Sequence, residues 1–332
     1  MEPQAAEGFA EARSGDGFET VDCPFCGSST HRPATGLKCD GPEHNVPEPY
    51  RSMHFRMVQC GECGLRYQRE RLRPEALAAF YRDDYFCYQS FAERGAIIRQ
   101  LALLTARTQV RLIERWRPPG PGVFVDFGCG NGSWLELFRA AGAPWEMYGT
   151  EIGAANVERI RQLGFRGHQC DEHTIERYFA PGSVSVIFMH HVIEHVASPL
   201  QMLAAFQRIL APGGIIVGQT PDAGSLECRL FGDHWLQWHL PQHLVVFDQP
   251  SLRRHAERAG FEVVRLKSSP SGATQWSGSL LKAWAARRGQ VYRWTNEPLH
   301  PYLTLLFAPV AAVQCLFNNS SHLDFILRKP LP

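Results

Sequence analysis

Val123-Phe124-Val125-Asp126-Phe127-Gly128-Cys129-Gly130-Asn131-Gly132-Ser133 is the stretch that decides the architecture. An apolar run of strand-forming residues ends in a turn with glycine at every second position, and helix-like sequence follows from Ser133. Glycines permit a sharp bend and close approach of a ligand to the backbone. A helix starting there leaves its first N–H groups free to donate. Just upstream, Pro118, Pro119, Gly120, Pro121 and Gly122 break the preceding helical pattern, whose apolar positions recur at three-to-four spacing over 75–81 and 92–116. Downstream, strand and helix patterns alternate. Strands are expected at Trp145–Thr150, Phe165–Cys170, Val184–His190, Ile215–Thr220 and Phe261–Ser268, and helices at Ala154–Leu163, Pro199–Leu210 and Leu252–Ala259. That alternation predicts an α/β fold, a mostly parallel sheet covered by helices on both faces. No internal repeat is present.

A dinucleotide-binding fingerprint needs glycine three residues after Gly130, where Ser133 stands, and does not place an acidic residue directly before the turn. Asp126-x-Gly128-x-Gly130-x-Gly132 instead resembles the first motif of the class I S-adenosylmethionine-dependent methyltransferases. Four further elements keep the order and spacing of that family: Glu151 at the end of the second strand, 21 residues after Gly130; Asp171 at the end of the third; the run Val186–His195; and Leu210-Ala211-Pro212-Gly213-Gly214. The resemblance implies a Rossmann-like fold with a mostly parallel seven-stranded sheet and S-adenosylmethionine as cofactor. The residues it designates for cofactor binding are Asp126, Gly128, Gly130, Asn131, Gly132, Glu151, Ile152, Asp171, Glu172 and His190. Glu151 would accept from the ribose hydroxyls and Asp171 from the adenine amine.

Cys23-Pro24-Phe25-Cys26-Gly27 and Cys60-Gly61-Glu62-Cys63-Gly64 form two C-x2-C knuckles. Two intervening residues let both sulfurs reach one ion, and four thiolates close a tetrahedral site of the kind that holds structural zinc. The 33 residues between the pairs make a long loop, in which His31, Cys39, His44 and His54 are alternative ligands. With Arg71-Leu72-Arg73-Pro74 and the aromatic patch Tyr81–Tyr88, this segment is similar to a bacterial methyltransferase subfamily with an N-terminal zinc ribbon. Members of that group modify sugars, glycan or lipid-linked intermediates, or natural products, and the core is also similar to quinone O-methyltransferases. The expected organisation is a disordered tail at 1–20, a zinc-ribbon module at 21–72 serving as lid or docking wall, a helical linker at 73–117, and a methyltransferase domain at 118–332 with an apolar insertion at about 275–320.

His191-Val192-Ile193-Glu194-His195 matches an inverted zinc-protease motif, which requires a helix to bring the two histidines onto one face. Here it directly follows a strand, which argues against that chemistry. In the quinone enzymes a carboxylate stands at the position of His191 and completes a metal-binding set, so its replacement argues against the same metal dependence. Methyl transfer to a hydroxyl needs a base near neutral pKa, and His195 and His243 are the candidates. The sugar C-methyltransferases have Tyr and Glu-His where this chain has Pro241 and Gln242-His243, which favours O- over C-methylation; C- or N-methylation of a similar small acceptor is the alternative.

Composition is that of a globular protein, with 44% hydrophobic and 20% charged residues and a net charge of +1. Residues 1–117 carry 16 basic and 16 acidic side chains, 118–250 carry 7 and 13, and 251–332 carry 11 and 4. The balance over 1–117 argues against a broad phosphate footprint and so against an RNA methyltransferase or RNA-binding ribbon, despite Arg66, Arg69, Arg71 and Arg73. The intact acidic positions at the strand ends argue against a noncatalytic scaffold. The N-terminus lacks a basic-then-apolar signal pattern, and paired C-x2-C motifs among ten cysteines suit a reducing cytoplasm. Leu299–Phe317 is almost wholly apolar but broken by Pro301 and Pro309, and Phe325–Leu327 reads as the edge strand that closes the fold. The apolar segment is open to three readings: lining an acceptor pocket, packing as a core helix, or, with Arg287, Arg288 and Arg293, peripheral contact with a membrane. A small-molecule, glycan or lipid-linked acceptor is expected.

Overall fold

The structure, a computed structural model, describes residues 17–38, 50, 53–81, 96–290, 292 and 298–332. Five parallel strands form the centre of the main sheet: β6 (Val123–Phe127), β7 (Glu146–Glu151), β8 (Arg166–Gln169), β9 (Val184–His190) and β10 (Leu210–Pro221). With β12 (Glu262–Ser268) and β13 (His322–Arg328) the order is β12-β13-β10-β9-β6-β7-β8. β13 is antiparallel to both of its neighbours. It therefore lies inside the sheet and β12 forms the edge, which corrects the expectation that Phe325–Leu327 would be the edge strand. Pro212-Gly213-Gly214 is a bulge within β10, which starts at Leu210 because that residue already pairs with Val184.

Side chains alternate across the sheet with period two. Phe124, Val186, Phe188, Ile215 and Val217 face one side, where they meet Ala106 and Ile113 of α2 (Ala96–Trp116), Leu135 and Phe138 of α3 (Ser133–Ala140) and Ile160 of α4 (Ala154–Gln162). Val125, Phe127, Ile187, Met189 and Ile216 face the other, against Leu203 and Phe206 of α5 (Pro199–Ile209) and Leu252 and Ala256 of α7 (Gln249–Arg258). α7 begins at Gln249 because Asp248 and Ser251 form a reciprocal capping box. Both sheet faces are thus buried, as the apolar continuity of β9 requires.

The N-terminal segment is not a separable bead. β2 (His31–Lys38), β3 (His54–Cys60) and β4 (Arg66–Tyr67) pair antiparallel, and β11 (Val245–Val246), from the far side of the chain, adds to β4. Phe55, Met57 and Leu72 share one apolar cluster with Trp235, Trp238 and Leu240. Phe18–Thr20 forms β1, paired with β5 (Glu70–Leu72), so a strand lies within the segment expected to be a disordered tail at 1–20. A short α1 (Pro74–Leu77) follows. The apolar insertion is a pair of helices, α8 (Ala273–Arg287) and α9 (His300–Leu316), placed between β12 and β13. A short α6 (Leu226–Phe231) packs against α8.

Candidate functional site

The carboxyl ends of β6 and β7 hold two buried carboxylates. Glu151 accepts from the N–H of Gly130 at 2.9 Å through one oxygen and from the N–H of Ile152 at 2.8 Å through the other. Burial raises its carboxyl above the ordinary value, while the N–H groups of Ile152, Gly130 and Gly153 act in the opposite direction. Asp126 is 2% exposed, and its Oδ2 has no hydrogen-bond partner among the described residues. Burial, and then the neighbouring Glu151, drive its carboxyl well above the usual range. Gly128, Gly130 and Gly132 all adopt positive φ, and a Cβ on Gly128 would lie 2.8 Å from Cγ2 of Val192. Asn131 turns its Oδ1 back to accept from the backbone N–H and hydroxyl of Ser133 at 3.1 and 2.7 Å, bracing the start of α3. Ile152 is half exposed beside Glu151. Asp171 accepts from the N–H of His173 and the hydroxyl of Thr174, and Glu172 lies beside it with its side chain mostly covered. His190 stacks near Trp134 and Phe188, and burial keeps it neutral.

Beyond His190, the next turn carries the polar groups of the opposite wall. Ile193–His195 is one 3-10 turn, not the helix that a zinc-protease site needs. His191 has φ 56° and its two ring nitrogens are both engaged, Nδ1 with Glu194 at 2.9 Å and Nε2 with Gln219 at 3.1 Å. Two donated hydrogen bonds are the signature of an imidazolium. Burial is the largest influence and lowers its pKa, but the hydrogen bond and charge of Glu194, with Gln219 and Asp324, together outweigh it and raise the ring above its ordinary value. Glu194 is completely buried; burial pushes its carboxyl upward, but the charge and hydrogen bond of His191 outweigh this and hold it below the ordinary value. Its second oxygen accepts from Thr220 at 3.0 Å. Gln219 passes the network on, donating to Asp324 at 2.6 Å.

The two candidate bases come together here. The rings of His195 and His243 are 4.7 Å apart, and His239 packs 5.0 Å from His243. His195 Nδ1 lies 3.0 Å from the carbonyl of Gln242 and 2.9 Å from the hydroxyl of Tyr81; His243 Nδ1 lies 2.8 Å from the carbonyl of Gln237. A carbonyl only accepts, so each Nδ1 carries the proton and each Nε2 is left with its lone pair. Burial lowers His195 to about 4 and His243 well below its ordinary value, so both are neutral at physiological pH. Glu194, His195 and His243 each place one donor atom within 4.8 Å of the others. Both Glu194 oxygens already accept from protein donors.

Sequence reasoning did not single out Tyr81, Trp134, Gln219, His322 or Asp324 as site residues. Gln219 was within reach, since it pairs in register with His190 across β9 and β10. His322 packs on His191 at 4.8 Å and bonds Ser271 and Gln237, but carries no motif of its own.

The sulfurs of Cys23, Cys26, Cys60 and Cys63 all lie within 4.8 Å of one another, with Cys23–Cys63 at 3.4 Å and Cys26–Cys60 at 3.5 Å. Tetrahedral zinc–thiolate bonds of about 2.3 Å imply sulfurs about 3.8 Å apart, so the four fit one ion. Gly27 and Gly64, at φ 73° and 75°, close each knuckle by bonding back to the carbonyls of Cys23 and Cys60. Burial raises the Cys60 thiol, but the N–H groups of Cys63 and Glu62 and the thiols of Cys26 and Cys63 together outweigh it and bring it to about 7. His31 and His54 stand outside the cluster, His31 bonded to the carbonyl of Ser29. Cys39, His44, Tyr85 and Tyr88 lie outside the described residues.

A methyltransferase-domain family model matches residues 97–266 of the 332, just over half, and the chain belongs to that family. Among curated proteins it is similar to a ubiquinone biosynthesis O-methyltransferase of Cereibacter sphaeroides, 27% identical over 47% of this chain and 66% of that protein. It is also similar to a trans-aconitate 2-methyltransferase of Rhodopseudomonas palustris, 30% identical over 31% of this chain and 40% of that protein. The chain therefore spans less than two thirds of the length of these relatives. Among solved structures, an S-adenosylmethionine-dependent methyltransferase of Archaeoglobus fulgidus is 17% identical, with a TM-score of 0.47 over 74% of this chain and all of that one.

The residues present fit S-adenosylmethionine. Its amino acid end is cationic and its ribose a diol; Asp126 offers a buried carboxyl oxygen without a partner, Glu151 a carboxyl beside the turn, and Gly128, Gly130 and Gly132 a turn with no side chains between them.

Proposed function

We propose that this protein is an S-adenosylmethionine-dependent methyltransferase that methylates a hydroxyl of a small-molecule, glycan or lipid-linked acceptor, with zinc held structurally by Cys23, Cys26, Cys60 and Cys63. The observation that carries the cofactor reading is the partnerless Oδ2 of buried Asp126 beside Glu151, at the carboxyl ends of adjacent strands around a positive-φ glycine turn. The cofactor supplies an electrophilic methyl group. The rest falls to the protein. Ile152, Asp171 and Glu172 continue the cofactor wall past Glu151. His190 and Trp134 close its apolar end. Across from them, the Nε2 of neutral His195 or His243 takes the acceptor hydroxyl proton, while Gln242 and Gln237 carbonyls hold each Nδ1–H in place. Positioning supplies most of the rate in such a transfer, and a nearby base contributes about 10²–10⁴.

The test is calorimetric titration of the zinc-loaded protein with S-adenosylhomocysteine beside Glu151→Ala. Micromolar binding, weakened at least about tenfold in the variant, is expected; no binding by folded wild type refutes the cofactor reading. An acceptor screen over quinols, sugars and lipid-linked glycans then separates O- from C- or N-methylation by product analysis.

A further inference from the structure

Helix α9 presents an uncovered apolar face. Tyr302, Leu305, Leu306, Val313, Leu316 and Phe317 are between 53% and 82% exposed. The helix His300–Leu316 contains no charged residue, since burial lowers the His300 ring at its start and keeps it neutral. Its inner side is already used: Trp276 of α8 stacks on Phe307 and bonds Gln314, and Ser277 bonds Thr304. A water-facing helix normally shows polar residues on its outer side, and one that is apolar all round is covered by something. No helix among the described residues is long and apolar enough to cross a membrane. At 17 residues α9 measures about 25 Å, short of a span.

Charge identifies the cover. From Ala273 to Leu316 the sequence carries Arg287, Arg288 and Arg293 against one acidic residue, Glu297, besides Lys282, which is buried. Arg287 and Arg288 are exposed at the end of α8. That end lies toward the start of α9, since Ala285 and Leu303 share one cluster. Exposed Trp284 stacks under Arg288 at 3.7 Å, an amphipathic pair suited to a headgroup layer. A second copy would bring a hairpin of like charge against itself. We infer that the α8–α9 hairpin is a docking surface for an anionic lipid bilayer, with α9 lying in the interfacial plane and Arg287 and Arg288 meeting headgroups. This does not depend on the reaction catalysed.

The experiment is flotation of the full zinc-loaded chain with phosphatidylcholine vesicles and with vesicles containing one quarter phosphatidylglycerol. Partition onto the anionic vesicles at least about tenfold above the neutral ones is expected, reduced about tenfold or more by Leu305→Glu/Leu306→Glu and by Arg287→Glu/Arg288→Glu. All four side chains are exposed, and unchanged circular dichroism checks that the fold is kept. Absence of retention, equal retention on both vesicles, or retention indifferent to the substitutions overturns the inference. A dimer that sediments as such, binds no vesicle and is dissociated by Leu305→Glu/Leu306→Glu assigns the face to a second copy instead.

Discussion

Replacing Glu194 by glutamine isolates the buried ion pair beside the two candidate bases. The side chain is fully buried and accepts from His191 Nδ1 at 2.9 Å and Thr220 at 3.0 Å. Glutamine keeps the shape and the oxygen but removes the charge. Breaking one side of a buried pair costs about 3–5 kcal/mol. His191 keeps a quarter of its side chain exposed and can shed its proton, which lowers the expected loss to about 2–4 kcal/mol at pH 6. The pH dependence has a definite sign. His191 is raised in the fold, so its contribution is complete below the unfolded imidazole value and is lost as pH rises through the higher folded one. Glu194 is depressed, so its contribution is present above the unfolded carboxyl value and is lost as pH falls through the folded one. The wild-type advantage therefore peaks in the mildly acidic to neutral window and shrinks toward pH 9. Urea melts at pH 6 and pH 9 measure it, with a midpoint shift of about 1 M at pH 6 and clearly less at pH 9. Equal shifts at both pH values would refute the charged-pair assignment.

Gly128→Ala puts a Cβ 2.8 Å from Val192 Cγ2 on a backbone at φ 69° and should weaken S-adenosylhomocysteine binding at least about tenfold by calorimetry. Cys60→Ser should reduce bound zinc from about one equivalent to near none by metal analysis, with a fall in melting temperature. His195→Gln and His243→Gln separate the two candidate bases: the true one lowers kcat about 10²–10⁴ with cofactor affinity unchanged. If His195 is the base, its value of about 4 leaves kcat/KM flat from pH 6 to 8 on the acid side.

The geometry proposed to hold the cofactor was legible in sequence because it is local. One strand, one glycine turn and one carboxylate at the next strand end suffice, and Asp126, Glu151 and Gly128–Gly132 assemble as the spacing required. The cluster proposed for the acceptor was only partly legible. His195 and His243 were found as histidines in a suspicious place, but their contact depends on chain reversal between β10 and β11, which no periodicity records. Val245-Val246 is too short to announce a strand and becomes one only through its partner β4. His322 and Asp324 enter the site because β13 inserts beside β10, and an edge position would have placed them elsewhere.

The N-terminal module was open to two readings, a lid or a wall, and its contacts favour the wall. Gln68, fully buried, donates to the carbonyls of Pro241 and His243 at 2.8 and 2.7 Å, gripping the loop that carries one candidate base. Arg66 pairs with Asp248, the cap of α7, and Arg71 reaches the carbonyl of Ala197. Tyr81 touches the other candidate base. Arg254 and Arg258 of α7 in turn bond the carbonyls of Cys63 and Phe25 within the knuckles. A swinging lid would have to break these bonds together with the β4–β11 ladder and the shared apolar cluster in every opening. On the proposed zinc reading the ion would act at a distance: by tying the knuckle before β2 to the turn between β3 and β4, the four thiolates would hold Gln68 and Tyr81 against the loop that carries His243 and against His195. On this account Cys60→Ser impairs acceptor turnover before it impairs cofactor binding, since none of these contacts reaches Asp126 or Glu151.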